Sequence, residues 1–229
     1  MTEILTLMVE FPSNGSTTPG FLARPDGDGP FPGVIVIQEW WGLNDNIKDI
    51  ASRFAREGFA AFAPDLYHGK TAPEPDAAQK LMMQLDMNRA SRELVRATEY
   101  LAEQRYVKGR GIGAIGFCMG GGLALTLACD TPHVHAVAPF YGVNPQPIDK
   151  VRALQGPVFA AYAEHDAWAG ADVREALEKA LTGHAKKFEI KIYPGTEHAF
   201  FNDTRPDVFT PDAAADAWSR VLALFRESL

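Results

Sequence analysis

Residues 113–122 read Gly-Ala-Ile-Gly-Phe-Cys-Met-Gly-Gly-Gly, and this segment indicates the fold. An apolar run ends just before Gly116-Phe117-Cys118-Met119-Gly120, and a helical pattern of small residues follows. A nucleophile on such a sharp strand-to-helix turn has a strained backbone, and glycines two residues away on either side remove side chains that would collide. The turn also directs the Cys118 sulfur toward a helix start, where N–H groups and the helix dipole favour a thiolate.

The pattern G-x-nucleophile-x-G is the elbow of the α/β-hydrolases, with cysteine in place of the usual serine. The remaining signals alternate strand and helix, which favours a parallel sheet. We expect strands at 33–37, 60–63, 112–115, 136–141, 158–163 and 188–193. Two short antiparallel strands, joined by a turn around Asn14-Gly15, should precede them and end near Ala23. The predicted fold is therefore an α/β-hydrolase fold with a doubly wound, mostly parallel sheet, helices on both faces, and a single domain over residues 1–229.

Helix signals separate these strands. Asn44 or Asp45 is positioned to cap a helix that Gly58 ends, and a long helical region from Asp76 to about Gln104 is expected to break near Met87-Asn88. A further helix ends at Gly183. The last helix has Thr210 as its N-cap and Pro211 at its first position.

Composition and charge limit the class of function. The formal net charge is −7 and no Lys/Arg cluster occurs, which argues against a nucleic-acid partner. Residues 1–10 lack the pattern of a signal peptide, and no apolar run is long enough to span a bilayer. We expect a soluble cytoplasmic protein, a monomer or homodimer, that acts on a small molecule without a membrane partner.

The two cysteines, Cys118 and Cys129, cannot form a disulfide if the segment after the elbow is helical. They would lie about 16 Å apart along that helix, which is beyond disulfide reach. A reducing compartment fits this arrangement. Cys129 ends an apolar run and is expected to be a buried filler.

The partners of Cys118 follow from chain order, because α/β-hydrolases place an acid and then a histidine after the nucleophile. One predicted strand runs into Glu164-His165-Asp166, and the next runs into Pro194-Gly195-Thr196-Glu197-His198. We assign Asp166 as the acid and His198 as the base. Glu164 is the reserve acid, and His165 adjoins Asp166 but follows the wrong strand.

Other kinds of site have weaker support. The glycine-rich turn at 116–122 could bind a phosphate, but it lacks dinucleotide and Walker spacing. The histidines and acids do not have zinc-ligand spacing, so neither a metal nor a cofactor is expected. The remaining histidines have no chemical context and are expected on the surface or in loops: His68, His133, His135 and His184.

With these residues located, the chain resembles the dienelactone hydrolase family over nearly its full length. The match rests on Val34-Ile35-Val36-Ile37-Gln38-Glu39-Trp40-Trp41-Gly42, Pro64-Asp65-Leu66-Tyr67, the cysteine elbow, Tyr141-Gly142, Asp166, and Gly195-Thr196-Glu197-His198-Ala199-Phe200. The cysteine elbow together with the Gln-Glu-x-x-Gly segment is a specific combination.

The resemblance implies roles for three further residues. Glu39 would contact the resting thiol and help to deprotonate it when substrate arrives, although Glu39 could instead cap a strand end or pair with an arginine. The backbone N–H groups of Trp40 and Met119 would form the oxyanion hole.

The chain departs from the family where the carboxylate of dienelactone would bind. Asn202 stands where the family has an arginine four residues beyond the histidine, and the segment 76–85 contains Lys80 but no arginine. Arg89 and Arg205 are near these places without matching them. Apolar residues are expected around the site instead: Trp40, Trp41, Met82, Met83, Leu85, Trp168, Phe200 and Phe201. We predict a substrate pocket formed by Trp41, Tyr67, Met83, Tyr141, Trp168 and Phe200.

The expected function is hydrolysis of carboxylic esters or lactones through a Cys-His-Asp triad and a thioester acyl-enzyme. Neutral, hydrophobic or aromatic esters should be preferred, and activated aryl esters or phosphotriesters are conceivable side substrates. Two alternatives stay open at this point. One is a non-hydrolytic binding or regulatory protein on the same scaffold, and the other is a thiol redox enzyme, for which Cys129 is too distant to act as a resolving cysteine.

Overall fold

A computed structural model of the protein describes residues 3–229, apart from the side chain of Arg110. Two compact units divide the chain: the first reaches Gly113 and includes Leu229, and the second covers Ala114–Ser228. Met1 and Thr2, at the start of the segment inspected for a signal peptide, lie outside the described residues. The prediction of one domain over residues 1–229 stays a prediction.

The first unit contains most of the strands that precede the elbow. Its elements are β1 (Ile4–Ser13), β2 (Ser16–Pro25), β3 (Phe31–Ile37), α1 (Asp45–Arg56), β4 (Ala60–Pro64), α2 (Pro75–Gln84), α3 (Met87–Ala102) and the first part of β5 (Val107–Phe117). In this unit the strand order is β1-β2-β4-β3-β5. The β1–β2 and β2–β4 pairs are antiparallel, and the β3–β4 pair is parallel.

The second unit begins within β5 and carries the elbow. Its further elements are α4 (Met119–Asp130), β6 (Val134–Phe140), a 3-10 helix (Ile148–Ala153), β7 (Val158–His165), α5 (Ala171–Gly183), β8 (Phe188–Glu197) and α6 (Pro211–Ser228). The strand order here is β5-β6-β7-β8. Both described pairs, β6–β7 and β7–β8, are parallel.

Strands β3 and β4 are buried because their sequences are apolar without alternation, as expected of parallel strands covered on both faces. Val34, Ile35, Val36 and Ile37 of β3 are all fully buried, as are Ala60–Ala63 of β4. The mostly parallel sheet and its flanking helices confirm the α/β class predicted from the alternating signals.

Local signals predicted several element boundaries correctly. The Asn44 side chain accepts a hydrogen bond from the Ile47 N–H at 3.2 Å and caps α1. Asn14 and Gly15, which connect β1 to β2, have φ of 50° and 77°, the left-handed values of a tight hairpin turn. The long helical region does break, because Asp86 accepts N–H bonds from Asn88 and Arg89 and starts α3.

Other features differ from the sequence expectation. β1 and β2 have ten residues each and are not short. β8 continues past Tyr193, its predicted end, to Glu197. The 3-10 helix Ile148–Ala153 was not expected, since its sequence Ile-Asp-Lys-Val-Arg-Ala is too short to show a helical period. Within residues 3–229, none of the helices is both long and apolar enough to cross a membrane.

Candidate active site

Cys118 occupies the sharp turn that its flanking glycines predict. It links β5 directly to α4 and has φ 54° and ψ −118°, a backbone conformation that residues other than glycine rarely adopt. Its N–H donates to the Phe140 carbonyl at 3.1 Å, and its own carbonyl accepts from Gly121 N–H at 3.0 Å. These backbone bonds hold the strained residue in place.

Two glycines make this turn possible by allowing close backbone contact. A Cβ atom at Gly116 would overlap the carbonyl of Gly120, one turn into the helix. A Cβ at Gly142, just after β6, would overlap the backbone nitrogen of Gly122. The Tyr141-Gly142 pair of the family resemblance therefore has a steric reason: β6 and the start of α4 approach too closely for any side chain.

Asp166 and His198 are in direct contact. Nδ1 of His198 lies 2.8 Å from Oδ2 of Asp166. The other carboxylate oxygen, Oδ1, accepts hydrogen bonds from the N–H groups of Trp168 at 2.8 Å and Ala169 at 2.9 Å. The Asp166 side chain is fully buried, and the backbone clamp fixes its orientation. Asp166 therefore orients the imidazole.

Asp166 and His198 each stabilise the charged form of the other. Burial, the largest single influence, acts to lower the pKa of His198, but Asp166 and Cys118 together outweigh it and raise that pKa to about 10. Burial acts to raise the pKa of Asp166, yet the hydrogen bonds from His198 and from Ala169 N–H leave it below its usual range. The imidazole of His198 is thus held by one buried carboxylate.

The second imidazole nitrogen of His198, Nε2, takes no part in the contact with Asp166. Nε2 is buried and has no hydrogen-bond partner with good geometry among residues 3–229. Cys118 nevertheless raises the pKa of His198. Nε2 is in a position to exchange a proton without first breaking a competing bond.

One aromatic ring, Tyr141, contacts His198 in the second unit, and Phe200 packs against Tyr141. The Tyr141 ring centre lies 5.0 Å from the imidazole centre, and Tyr141 has a left-handed φ of 39°. Phe200 is fully buried and packs against Tyr141 and Tyr193. Trp168 is 65% exposed, although its backbone N–H is fixed by Asp166. The pocket roles of Tyr141, Trp168 and Phe200 stay predictions.

The remaining predicted site residues are Met119 at the start of α4, whose oxyanion-hole role stays a prediction, and five residues of the first unit. Glu39 is buried just after β3, and the rings of Trp40 and Trp41 are in edge-to-face contact with centres 5.1 Å apart. Tyr67 is buried, whereas Met83 on α2 is 77% exposed. The roles predicted for these five residues stay predictions.

The Gln-Glu and Pro-Asp-Leu-Tyr segments of the resemblance are physically linked. Oε1 of the fully buried Gln38 accepts a hydrogen bond from Leu66 N–H at 3.1 Å. Asp65 accepts N–H bonds from Tyr67 at 3.0 Å and Gly69 at 2.6 Å, which folds the segment into a compact turn. In the sequence these residues appear only as a family pattern, and their structural role becomes visible only in the folded chain.

The competing candidates have other contacts. Oε2 of Glu164, the reserve acid, accepts a hydrogen bond from Gly195 N–H at 2.7 Å. His165 is 59% exposed, with Nε2 3.7 Å from Glu164. His68, for which no chemical context was expected, lies 3.1 Å from the buried Glu93. His184 pairs with Asp149 at the surface.

The arginines considered for binding a substrate carboxylate are paired with acids of the chain itself. Nε of Arg89 lies 2.7 Å from Oε1 of Glu93, and a terminal nitrogen of Arg205 lies 2.7 Å from Asp207. Asn202 is buried, and its Oδ1 accepts hydrogen bonds from the backbone and hydroxyl of Thr204. The position where the family has an arginine is thus part of a turn.

Neither metal ligation nor disulfide chemistry competes for these groups in the described part of the chain. No three His, Cys, Asp or Glu side chains of residues 3–229 are grouped so as to hold a metal ion. Cys118 and Cys129 are both free thiols. Burial, assisted by the charge of Asp130, raises the pKa of Cys129 to about 12, so this thiol stays protonated at neutral pH.

The fold, with a strained residue between β5 and α4 and an acid and a histidine after later strands, defines an α/β-hydrolase. The family model of the dienelactone hydrolase family matches residues 18–229, and the chain belongs to this family.

Relatives match over almost the whole chain. A protein named "Protein usf" from Aquifex pyrophilus is 42% identical over 97% of this chain and 98% of its own length. A protein named "Putative carboxymethylenebutenolidase" from Aquifex aeolicus is 37% identical over 97% of this chain and 98% of its own length. The crystal structure of a dienelactone hydrolase, also named as putative, from Klebsiella pneumoniae has 30% identity and a TM-score of 0.89, with 98% of this chain and 99% of that one covered. These comparisons support a hydrolase.

Proposed function

We propose that the protein hydrolyses carboxylic esters or lactones through a thioester on Cys118, with His198 as the proton carrier and Asp166 as its orienting acid. The observation that carries the proposal is the 2.8 Å contact between Asp166 and Nδ1 of His198, combined with the influence of Cys118 on the pKa of the same imidazole. Membership of the dienelactone hydrolase family supports the same class of reaction.

In the acylation half-reaction, the Cys118 thiolate attacks the carbonyl carbon and forms a sulfur–carbon bond. The carbonyl oxygen becomes an oxyanion, for which the Met119 N–H at the start of α4 is a suitable donor at the positive end of the helix dipole. Collapse of this intermediate breaks the bond to the leaving oxygen, and protonated His198 transfers its proton to that alkoxide.

In the deacylation half-reaction, neutral His198 takes a proton from water as the water oxygen attacks the thioester carbon. The sulfur–carbon bond then breaks, the carboxylic acid leaves, and Cys118 returns to the thiolate paired with protonated His198. Asp166 stays ionised throughout, because its lowered pKa keeps the proton on the imidazole. The roles of Glu39 and Trp40 are included in the proposal on the family pattern alone.

We propose neutral esters with hydrophobic or aromatic groups as the preferred substrates. Arg89 and Arg205 are already paired with Glu93 and Asp207, so a substrate carboxylate would have to compete with acids of the chain. Losing a bidentate arginine contact removes roughly 2–3 kcal/mol of binding to an anionic substrate. Activated aryl esters and phosphotriesters belong to the same proposal as side substrates.

Esterase assays on cysteine variants test the proposal. Cys118→Ala should lose turnover of p-nitrophenyl and naphthyl esters, whereas Cys129→Ala, the matched control, should keep the wild-type rate. Cys118→Ser should lose much of the rate as well, since a hydroxyl is a weaker nucleophile near neutral pH. Dienelactone, measured alongside, should be turned over less efficiently than the neutral esters.

Alkylation provides a second measurement. Iodoacetamide at neutral pH should modify Cys118 and abolish turnover, and mass spectrometry should find Cys129 unmodified because its thiol is protonated. Ester turnover that survives Cys118→Ala would refute the assignment of the nucleophile. Peroxide consumption without ester cleavage would favour the redox alternative.

A further inference from the structure

The last parallel strand pair has an irregular register close to His198. Ala163 of β7 is opposite Tyr193 of β8, but the next described pair is His165 opposite Glu197. Two steps along β7 therefore correspond to four steps along β8. The additional residues form a bulge at 194–196, and a bulge bends its strand and redirects the side chains that follow it.

The bulge is held by two side chains. Gly195 has a left-handed φ of 68°, and its N–H donates to Oε2 of Glu164 at 2.7 Å. Thr196 is buried, and its hydroxyl donates to the Tyr193 carbonyl at 2.7 Å, which closes the bulge from within. Only the Glu164 bond connects the bulge to the neighbouring strand through a side chain among the contacts described for residues 194–196.

The chain positions make this bond relevant to the candidate site. Glu164 precedes Asp166 by two residues, and Gly195 precedes His198 by three. The Glu164–Gly195 bond and the Asp166–His198 bond thus join the same two chain segments, one through backbone and one through the reacting groups. A shift of the bulge would move His198 relative to Asp166.

We propose that Glu164 is a positioning residue, which fixes the bulge of β8 through Gly195 N–H and thereby sets the distance between His198 and Asp166. The proposal rests on the proposed hydrolase function and deepens it. Glu164 acts through its reach to the bulge and not through its charge. It touches neither the substrate nor the reacting atoms, so it is not itself a catalytic residue.

Two conservative variants separate reach from charge. Glu164→Gln keeps the length of the side chain and an oxygen that accepts from Gly195 N–H, but removes the charge. Glu164→Asp keeps the charge but shortens the side chain, so its carboxylate no longer reaches the bulge. Glu164→Ala removes both. Glu175→Ala, at an exposed position of α5, is the matched control.

The first measurement needs no substrate. The pKa of His198, followed by NMR titration of its ring, should remain near the wild-type value in Glu164→Gln and Glu175→Ala. In both Glu164→Asp and Glu164→Ala the pKa of His198 should fall by a similar amount, because a displaced imidazole loses part of its hydrogen bond to Asp166. Thermal unfolding of each variant establishes that all are folded at the assay temperature.

The second measurement is kcat on a p-nitrophenyl ester. We expect about a fivefold loss in Glu164→Asp and Glu164→Ala, the size of one lost hydrogen bond, with KM nearly unchanged. If kcat and the pKa of His198 stay at wild-type values in Glu164→Asp but fall in Glu164→Gln, the charge of Glu164 and not its reach is responsible. That result would overturn the proposal. A lower unfolding temperature with unchanged pKa and kcat in all variants would also overturn it. If wild type does not cleave esters, the hydrolase proposal fails while the NMR titration still decides the role of Glu164.

Discussion

Two histidine–carboxylate pairs of this protein have similar geometry and different surroundings. In the second unit, His198 contacts the fully buried Asp166 at 2.8 Å. In the first unit, His68 contacts the buried Glu93 at 3.1 Å. Both histidines lie shortly after the end of a strand, and both contact a buried acid. Proximity to an acid therefore does not by itself distinguish a histidine suited to proton transfer from a structural one.

The difference lies in what else each pair touches. Oε1 of Glu93 also contacts Nε of Arg89 at 2.7 Å, and another Arg89 nitrogen lies 3.1 Å from Nε2 of His68. Arg89 thus compensates the charge of Glu93 permanently. At the other pair, the charge of Asp166 is compensated by His198 and by backbone N–H groups, and Nε2 of His198 has no competing bond within residues 3–229. At His68 a single nitrogen, Nε2, is approached by both Glu93 and Arg89, whereas at His198 Asp166 contacts Nδ1 and leaves Nε2 without a competing bond among residues 3–229.

The largest expected effect is the loss of the acid from the His198–Asp166 pair, which the proposed function makes the reactive pair. Asp166→Asn should lower kcat for ester hydrolysis by about 10⁴-fold, because an amide can hold the imidazole in the wrong tautomer and cannot stabilise its protonated form. Steady-state kinetics on a p-nitrophenyl ester measures this loss. The same exchange at the other pair, Glu93→Gln, should leave kcat within about twofold of wild type. Similar losses in both variants would remove the distinction between the two pairs.

Several features of the fold and of the candidate site could be predicted from sequence, because the relevant signals are local. The elbow around Cys118 depends on glycines at fixed offsets, and Asp166 and His198 follow from their order after predicted strands. The cap at Asn44 is equally local. In each case a residue within a few positions supplies the physical reason, so a single stretch of chain contains the information.

The features that sequence did not reveal depend on contacts between distant residues. Pro194-Gly195 is typical of a strand end, yet β8 continues through it because Glu164, 31 positions away, accepts the Gly195 N–H. Glu164, considered only as a reserve acid, therefore has a contact that its sequence context does not indicate. Likewise, His68 was expected to lack chemical context, since nothing near it in the chain indicates the buried Glu93 on α3.

The pH dependence of activity provides the next test of the reactive pair. The pKa of His198 is raised to about 10, so the imidazole keeps the proton needed by the leaving alkoxide until the pH approaches that value. We expect kcat/KM to rise at low pH as the Cys118–His198 pair loses its first proton, and to fall about tenfold per unit above pH 10. Both the rise and the fall of this pH profile report on Cys118 and His198 as a coupled pair, so neither is assigned to one residue alone.

The same shift affects stability with a defined sign. Because the pKa of His198 in the folded state lies above the ordinary histidine value of about 6.5, it contributes stability that is complete below about pH 6.5 and is lost as the pH rises to about 10. Urea unfolding of wild type and His198→Gln at several pH values measures this contribution as a difference between the two proteins. A difference that grows with pH across this range would contradict the raised pKa.

The smallest expected effect concerns the structural pair. Glu93→Gln should lower the free energy of unfolding by about 1–2 kcal/mol, less than the roughly 3–5 kcal/mol typical of breaking a fully buried ion pair. The reason is that Arg89 is 48% exposed and regains water when its partner loses charge, and the Gln oxygen still accepts a hydrogen bond. Asp149→Asn is the matched control, because it removes a carboxylate from the exposed His184–Asp149 pair and should cost at most about 0.5 kcal/mol. Equal losses in the two variants, measured by urea unfolding, would mean that burial of Glu93 does not distinguish its pair from a surface contact.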